Sequence, residues 1–196
     1  VSAAEMAELM VGKSLSTPAR DAGAAGEVLL HVGGLSVTPA SPFGTPLRHV
    51  GFEVRAGEVL GIGGVAGNGQ DELLAALSGE TRVPPRTILL GDTPVGAMGP
   101  NARRRLGLQC APEERLGHAA APDMSLTENA VLTARVRQRL DRNGFVDWGA
   151  TRDYAASIIE RFDVRTPGTE VAARALSGGN LQKFVIGREV LQNPKV

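Results

Sequence analysis

The chain has little of what would tie it to an oxidising compartment, a membrane or a nucleic acid. Cys110 is the single cysteine among 196 residues, so an internal disulfide is excluded and a reducing compartment is favoured. The 21 Lys and Arg residues balance the 21 Asp and Glu residues. A chain without net charge gives no support for a nucleic-acid surface or a polybasic membrane anchor. No apolar run approaches the roughly 20 residues that span a bilayer.

The residues that are present indicate one α/β domain behind a short leading segment. Apolar residues make up 42% of the chain, which is enough to build a core. Residues 1–12 are predicted to form a short helix, and residues 14–26, rich in small residues, a linker. Strands are predicted at 28–32, 47–54, 58–62, 87–90 and 106–111, and helices at 71–77, through most of 125–162, and at 178–191. Strands that alternate with helices in this way are typical of an α/β fold.

A glycine-rich loop lies between a predicted strand and a predicted helix. Residues 64–71 read GVAGNGQD, with the glycine spacing of the phosphate loop GxxxxGK[ST]. In that loop, backbone N–H groups converge on phosphate oxygens, the lysine neutralises them and the hydroxyl holds Mg²⁺. Gln70 and Asp71 stand where the lysine and the hydroxyl belong, and a plain glycine turn remains an alternative. The candidate nucleotide-binding residues are Gly64, Gly67, Asn68, Gly69, Gln70 and Asp71, and Asp71 is also a possible metal ligand.

A second glycine motif opens the last predicted helix. Residues 176–183 read LSGGNLQK. A serine hydroxyl and two glycine amides at a helix start can contact a phosphate group held by another domain. A plain serine N-cap is the alternative, although paired glycines do not favour a helix start. The run resembles the signature motif of ATP-binding cassette (ABC) ATPases, and the residues that would face the nucleotide are Ser177, Gly178, Gly179 and Asn180.

Three further stretches fall in the order that such a cassette requires. Residues 112–115 read PEER and resemble a Q-loop in which Glu113 replaces the usual glutamine, although a surface charge cluster is the alternative. Residues 123–129 resemble the start of the cassette's helical subdomain, and residues 8–13 resemble the tail that closes a preceding cassette. Together these stretches resemble the second nucleotide-binding domain of the fused double-cassette ATPases of simple-sugar and nucleoside importers. The purine-nucleoside branch is the most similar.

The resemblance implies a domain plan. Residues 1–13 would be the tail of the preceding cassette, 14–26 a linker, and 27–196 a partial cassette with its helical subdomain at about 123–175. The fold would be that of a P-loop NTPase, with a parallel sheet left incomplete because the chain stops where the Walker B strand should begin. No catalytic residue would lie within the segment itself.

The resemblance also implies a function, which is ATP-driven import of a small solute such as a sugar or nucleoside. Two cassettes would enclose ATP and Mg²⁺, each nucleotide lying between one phosphate loop and the other cassette's signature. The loop of this chain would form a poor site, and its signature would complete the partner's site. The implied partners are a first cassette in the same polypeptide, the permease subunits and, indirectly, a solute-binding protein, at the cytoplasmic face of the inner membrane.

Two other classes of function compete with an importer ATPase. The missing loop lysine would suit a cassette half kept only for regulation or structure, which never turns ATP over. A soluble cassette ATPase acting in DNA repair or on ribosomes should carry basic patches or zinc-binding insertions. The neutral charge and single cysteine disfavour that class, so no nucleic-acid partner is expected.

Overall fold

The computed structural model of the protein describes Met6, residues 26–39 and residues 41–196. Apart from Met6 and Gly26, the predicted tail at 1–13 and linker at 14–26 lie outside the described residues. The described strands are β1 (Val28–Val37), β2 (Leu47–Arg55), β3 (Ile88–Leu90), β4 (Thr93–Pro94), β5 (Asp141–Arg142) and β6 (Phe145–Val146). The described helices are α1 (Gln70–Ser78), α2 (Pro100–Leu106), α3 (Leu126–Ala134), α4 (Trp148–Arg161) and α5 (Gly178–Val190).

Four of the strands form an antiparallel sheet in the order β2-β1-β3-β4. Strand β1 lies in the middle and turns its alternate apolar side chains inward, so that Leu30 and Val32 are buried. On that face they pack in one core with Leu73 and Ala76 of α1. The sheet therefore holds the helix that follows the glycine-rich loop.

A buried arginine fixes the other end of α1. The Arg103 guanidinium donates hydrogen bonds to the carbonyl oxygens of Ala76 and Leu77, which have no partner within the helix, and to those of Gly96 and Met98. Arg103 is fully buried, and this desolvation lowers its pKa. The four carbonyl oxygens satisfy the buried charge. Because two of them belong to α1 and two to the loop before α2, the guanidinium holds α1 against that loop.

A second core forms between α3 and α4, which lie in the predicted helical subdomain at about 123–175, and α5, which follows it. Helix α3 begins at a capping box, in which the Glu128 N–H donates to the Ser125 hydroxyl at 3.1 Å and the Ser125 N–H to the Glu128 carboxylate at 2.7 Å. The helix predicted through most of 125–162 is confirmed in α4, where Tyr154, Ala155 and Ile158 are buried. The subdomain is not helical throughout, since β5 and β6 pair across an Asn-Gly turn between α3 and α4.

The strand predicted at 58–62 is wrong. The chain turns at the end of β2, where Gly57 has a φ of 75° and the Glu58 N–H donates to the Arg55 carbonyl oxygen at 3.0 Å. Val59 and Ile62 are exposed, and no described strand pairs with this segment. A strand needs a neighbour for its backbone hydrogen bonds, so the apolar pattern alone does not make one here. The described sheet is antiparallel, and the predicted parallel arrangement is not found among these residues.

The strand predicted at 106–111 is also wrong. Leu106 is the last residue of α2, a helix that is not among the predicted elements, and Gly107, whose φ is 104°, caps it. The next residues run alongside the end of the chain, where the Gln109 N–H donates to the Val196 carbonyl oxygen at 2.9 Å and the Lys195 N–H to that of Gly107 at 2.8 Å. These few hydrogen bonds do not form a ladder long enough to define a strand.

Among the described residues, no helix has the length and apolar character needed to cross a membrane.

Candidate functional site

The glycine-rich loop ends at the first residue of α1, as the sequence predicts. Gly67 and Gly69 have φ values of 86° and 100°, in the left-handed region where glycine costs least. Gly69 is the N-cap of α1 and offers no side chain to the helix start. The start of this nine-residue helix therefore has no side-chain cap. It is also the positive end of the helix dipole.

The loop is held from outside by Thr45, which the sequence reading did not identify. The Thr45 hydroxyl donates a hydrogen bond of 2.7 Å to the Gly67 carbonyl oxygen. The Thr45 N–H donates to the Glu72 carboxylate at 2.9 Å, which ties the same residue to the first turn of α1. No sequence signal separates Thr45 from other loop threonines, because its role depends on a contact across 27 residues.

Gln70 points back into the loop. Its side-chain N–H donates to the Val65 carbonyl oxygen at 3.1 Å, and its carbonyl oxygen accepts from the Asn68 N–H at 3.0 Å. The same Asn68 N–H also reaches the Val65 carbonyl oxygen at 3.3 Å. In a phosphate loop, N–H groups of this kind point toward the ligand. Here the Asn68 N–H is already hydrogen-bonded within the protein.

The first residues of α1 face the segment that resembles a Q-loop. Gln70, Asp71 and Glu113 line one cleft of about 580 Å³, whose opposite wall is α5. A neighbouring cleft of about 560 Å³ shares Asp71 and Glu113 and also includes Glu80. Asp71 and Glu113 are both exposed, and Arg115 lines both clefts with them, so the carboxylates beside the helix start outnumber the Arg115 cation.

These residues do not fit a magnesium triphosphate at this loop. The Gln70 amide supplies no positive charge where a phosphate loop has its lysine. The Asp71 carboxylate stands where that loop has a neutral hydroxyl, and its negative charge would repel the triphosphate. Among the described parts of the chain, no cluster of His, Cys, Asp and Glu side chains is arranged to hold a metal ion.

The signature residues lie at the start of α5, the helix that forms the opposite wall of the first cleft. Ser177 is the N-cap, yet its hydroxyl does not cap the helix and instead accepts a hydrogen bond of 3.0 Å from the Asn180 side chain. The Asn180 carbonyl oxygen in turn accepts from the Arg165 N–H at 3.0 Å. Ser177, Gly178 and Gly179 are exposed, and a Cβ at Gly179 would meet nothing within 4 Å. This helix start is therefore open to a ligand brought by another molecule.

Arg115 joins the Q-loop-like segment to the signature. Its guanidinium donates to the Gly178 carbonyl oxygen at 3.2 Å, and a Cβ at Gly178 would lie 3.1 Å from the same group. The structure thus gathers Gln70, Asp71 and Glu113 around one cleft and places the signature beside that cleft through Arg115. The sequence reading noted Arg115 only as part of the motif.

Comparisons with known proteins identify the family of the chain. Residues 47–196 match the family model described as ABC transporter. The nucleoside import ATP-binding protein NupA of Lactococcus lactis is 35% identical over 97% of this chain and 38% of its own length. The guanosine import ATP-binding protein NupO of Bacillus subtilis is 37% identical over 97% of this chain and 37% of its own length. The chain therefore spans well under half the length of either relative.

Solved structures show the same fold. The ATP-binding cassette MJ0796, in a dimeric post-hydrolysis state bound to ADP and Pi, superposes with a TM-score of 0.64 at 17% identity. The match covers 84% of this chain and 70% of that one. The predicted α/β fold of a P-loop NTPase cassette with a helical part is confirmed. The chain belongs to the ABC transporter family and is homologous to the ATP-binding proteins of sugar and nucleoside importers.

Proposed function

We propose that the chain is the second cassette of a fused double-cassette ATPase that drives import of a sugar or nucleoside. The observation that carries this proposal is the asymmetry between its two glycine motifs. The phosphate loop is engaged by Gln70 and flanked by Asp71, whereas the start of α5 is exposed and its serine leaves the helix N–H groups uncapped. One motif is poorly suited to a nucleotide and the other is open to one.

In this proposal the signature acts on a nucleotide held by the first cassette of the same polypeptide. The N–H groups at the start of α5 and the Ser177 hydroxyl would contact the γ-phosphate of that ATP, where the positive helix end stabilises negative charge. ATP and Mg²⁺ would be held by the partner's loop. The exposed faces of Gly178 and Gly179 allow the close backbone approach that such a contact requires.

The helical subdomain would transmit the motion to the permease. A groove of about 400 Å³ lies between α2 and α3, with apolar side chains such as Leu132 and Val136 beside Arg105 and Arg135. The described residues that line it include no carboxylate. An apolar floor with a basic rim suits a permease segment that carries apolar and acidic side chains. In this proposal the chain would lie at the cytoplasmic face of the inner membrane, with a solute-binding protein as an indirect partner.

The names of the relatives support a sugar or a nucleoside as the solute, since NupA, NupO and a ribose import protein of Rubrobacter xylanophilus all match over nearly the whole chain. Uptake of labelled guanosine and ribose by cells with and without the intact gene would separate the two classes. Loss of guanosine uptake alone supports the purine-nucleoside branch.

Titration calorimetry with Mg-ATP tests the proposed asymmetry on the chain itself. We expect a dissociation constant no tighter than roughly millimolar, near −4 kcal/mol, because Asp71 repels the triphosphate and Gln70 offers no cation. A micromolar constant would mean that the backbone of the loop suffices for binding and that the charge argument is wrong.

A further inference from the structure

The side chain of Gln70 lies within the loop that precedes its own helix, and its two hydrogen bonds fix how the amide is turned. Val65 offers only a carbonyl oxygen, so it must accept from the amide N–H. Asn68 offers only its backbone N–H, so it must donate to the amide oxygen. Reversing the amide would break both bonds.

The Gln70 amide also fills part of the loop. A Cβ built on Gly64 would lie 2.6 Å from the Gln70 side-chain nitrogen, so that nitrogen lies against the first glycine of the loop. The side chain therefore reaches from the Asn68 N–H, near the start of α1, to Gly64, at the start of the loop. An oxygen that binds the Asn68 N–H must first displace the oxygen already there.

We infer that Gln70 is a specificity-determining residue that closes this loop against phosphate groups. The inference rests on the proposed function, in which residues 64–71 form a degenerate phosphate loop. It goes beyond the missing lysine. A missing cation only weakens the attraction between the loop and a phosphate, whereas the Gln70 amide oxygen competes with the phosphate for the Asn68 N–H. An anion must break two hydrogen bonds to enter, and the freed amide brings no charge to compensate.

Removing the side chain of a ligand-binding residue weakens the binding of its ligand. If Gln70 closes the loop, removing its side chain should instead strengthen the binding of phosphate groups. Gln70→Ala should tighten binding of inorganic pyrophosphate and of Mg-ATP to the chain by about tenfold, the scale of two modest hydrogen bonds. Gln138→Ala is the matched control. It removes a glutamine whose side chain bonds the Leu191 carbonyl oxygen at 2.8 Å, in the helical subdomain, and should leave both affinities unchanged. Calorimetry supplies the affinities, and circular dichroism confirms that each variant is folded.

A repaired loop distinguishes failure of the closure from failure of the proposed function. The double variant Gln70→Lys with Asp71→Ser restores the cation and the hydroxyl and should bind Mg-ATP at least as tightly as Gln70→Ala. If the repaired loop gains affinity and Gln70→Ala does not, the closure is overturned and the loop assignment stands. If neither variant gains affinity, residues 64–71 are not a phosphate loop, and the closure fails with that assignment.

Discussion

A guanidinium nitrogen of Arg115 lies 3.2 Å from the carbonyl oxygen of Gly178, across 63 residues of sequence. The bond ties the start of α5 to the turn at residues 114–120. The same turn is held at the other end of α5, where Arg188 donates to the Ala119 carbonyl oxygen at 2.8 Å. Arg188 is buried and Arg115 is exposed, so the tie at the signature end is the easier one to break.

Removing the Arg115 side chain should loosen the signature without unfolding the chain. For Arg115→Ala we expect less than about 1 kcal/mol of lost stability, because the side chain is exposed. Amide hydrogen exchange at 178–182 should become faster. The control is Arg174→Ala, which breaks an exposed pair with Asp123 of 2.8 Å. Equal exchange at 178–182 in the two variants would show that Arg115 does not hold this helix start.

The buried charge cluster at the end of α5 should matter far more to stability. One Glu189 oxygen accepts from Arg188 and Thr133 at 2.8 Å, and the other from Arg104 at 2.8 Å. Glu189→Ala leaves the Arg188 charge buried without its carboxylate, which should cost about 3–5 kcal/mol in the free energy of unfolding. Asp123→Ala breaks the exposed pair with Arg174 and should cost at most about 1 kcal/mol. Urea unfolding measures both, and equal losses would contradict the account.

Stability should fall at alkaline pH through Tyr154, the chain's single tyrosine. Burial, with a smaller contribution from Glu189, raises the pKa of its phenol. The folded pKa is therefore above the unfolded value of about 10, so the contribution to stability is complete below that pH and is lost as the pH rises above it. Unfolding in urea at pH 7 and just above pH 10 should show a steeper loss for the native chain than for Tyr154→Phe.

The phenylalanine variant should also be slightly less stable at neutral pH. The Tyr154 hydroxyl donates to the Arg188 carbonyl oxygen at 2.6 Å, and that bond is lost. The carbonyl keeps a second donor, the Gln192 side chain at 3.0 Å, so the cost should stay near 1 kcal/mol. An identical loss with pH in both proteins would show that the phenol does not ionise preferentially on unfolding.

Local rules predicted the parts of the fold that depend on neighbouring residues. The helix after the glycine loop and the helices within 125–162 follow from spacing within a few positions, and the capping box at Ser125 and the buried face of α4 show that spacing in the structure. Helix α2 was missed although Pro100 stands in its first turn, three arginines lie in its last turn and Gly107 caps it, because Leu106 was assigned to a strand. Apolar pattern alone cannot show whether 58–62 has a neighbouring strand.

The sequence predicted which residues belong to the candidate site, but not which contacts their side chains make. The motifs identified Gln70, Glu113 and the signature, yet the substitution of lysine by glutamine says nothing about where the glutamine side chain lies. The backward turn of Gln70, the Thr45 anchor and the Arg115 bond depend on the folded backbone. The roles of these residues in binding nucleotide stay predictions.

A regulatory half without a part in hydrolysis would behave differently from the proposed second cassette. Under that rival, neither glycine motif should affect turnover. Under the proposed function, the signature faces the working nucleotide and the loop does not. Substitutions in the two motifs should therefore differ sharply in effect.

The most direct test is ATP turnover by the full transporter in reconstituted membranes, measured for Gly178→Asp, Gln70→Ala and the control Gly168→Asp. Gly168 lies outside the signature, and a Cβ there would meet nothing within 4 Å. At Gly178 a carboxylate would sit against Arg115 at the helix start and repel the γ-phosphate, so turnover should fall by about a hundredfold or more. Gln70→Ala and Gly168→Asp should stay within about twofold of the native transporter, well below the effect of one lost transition-state contact. Equal loss in Gln70→Ala and Gly178→Asp would contradict the asymmetric assignment.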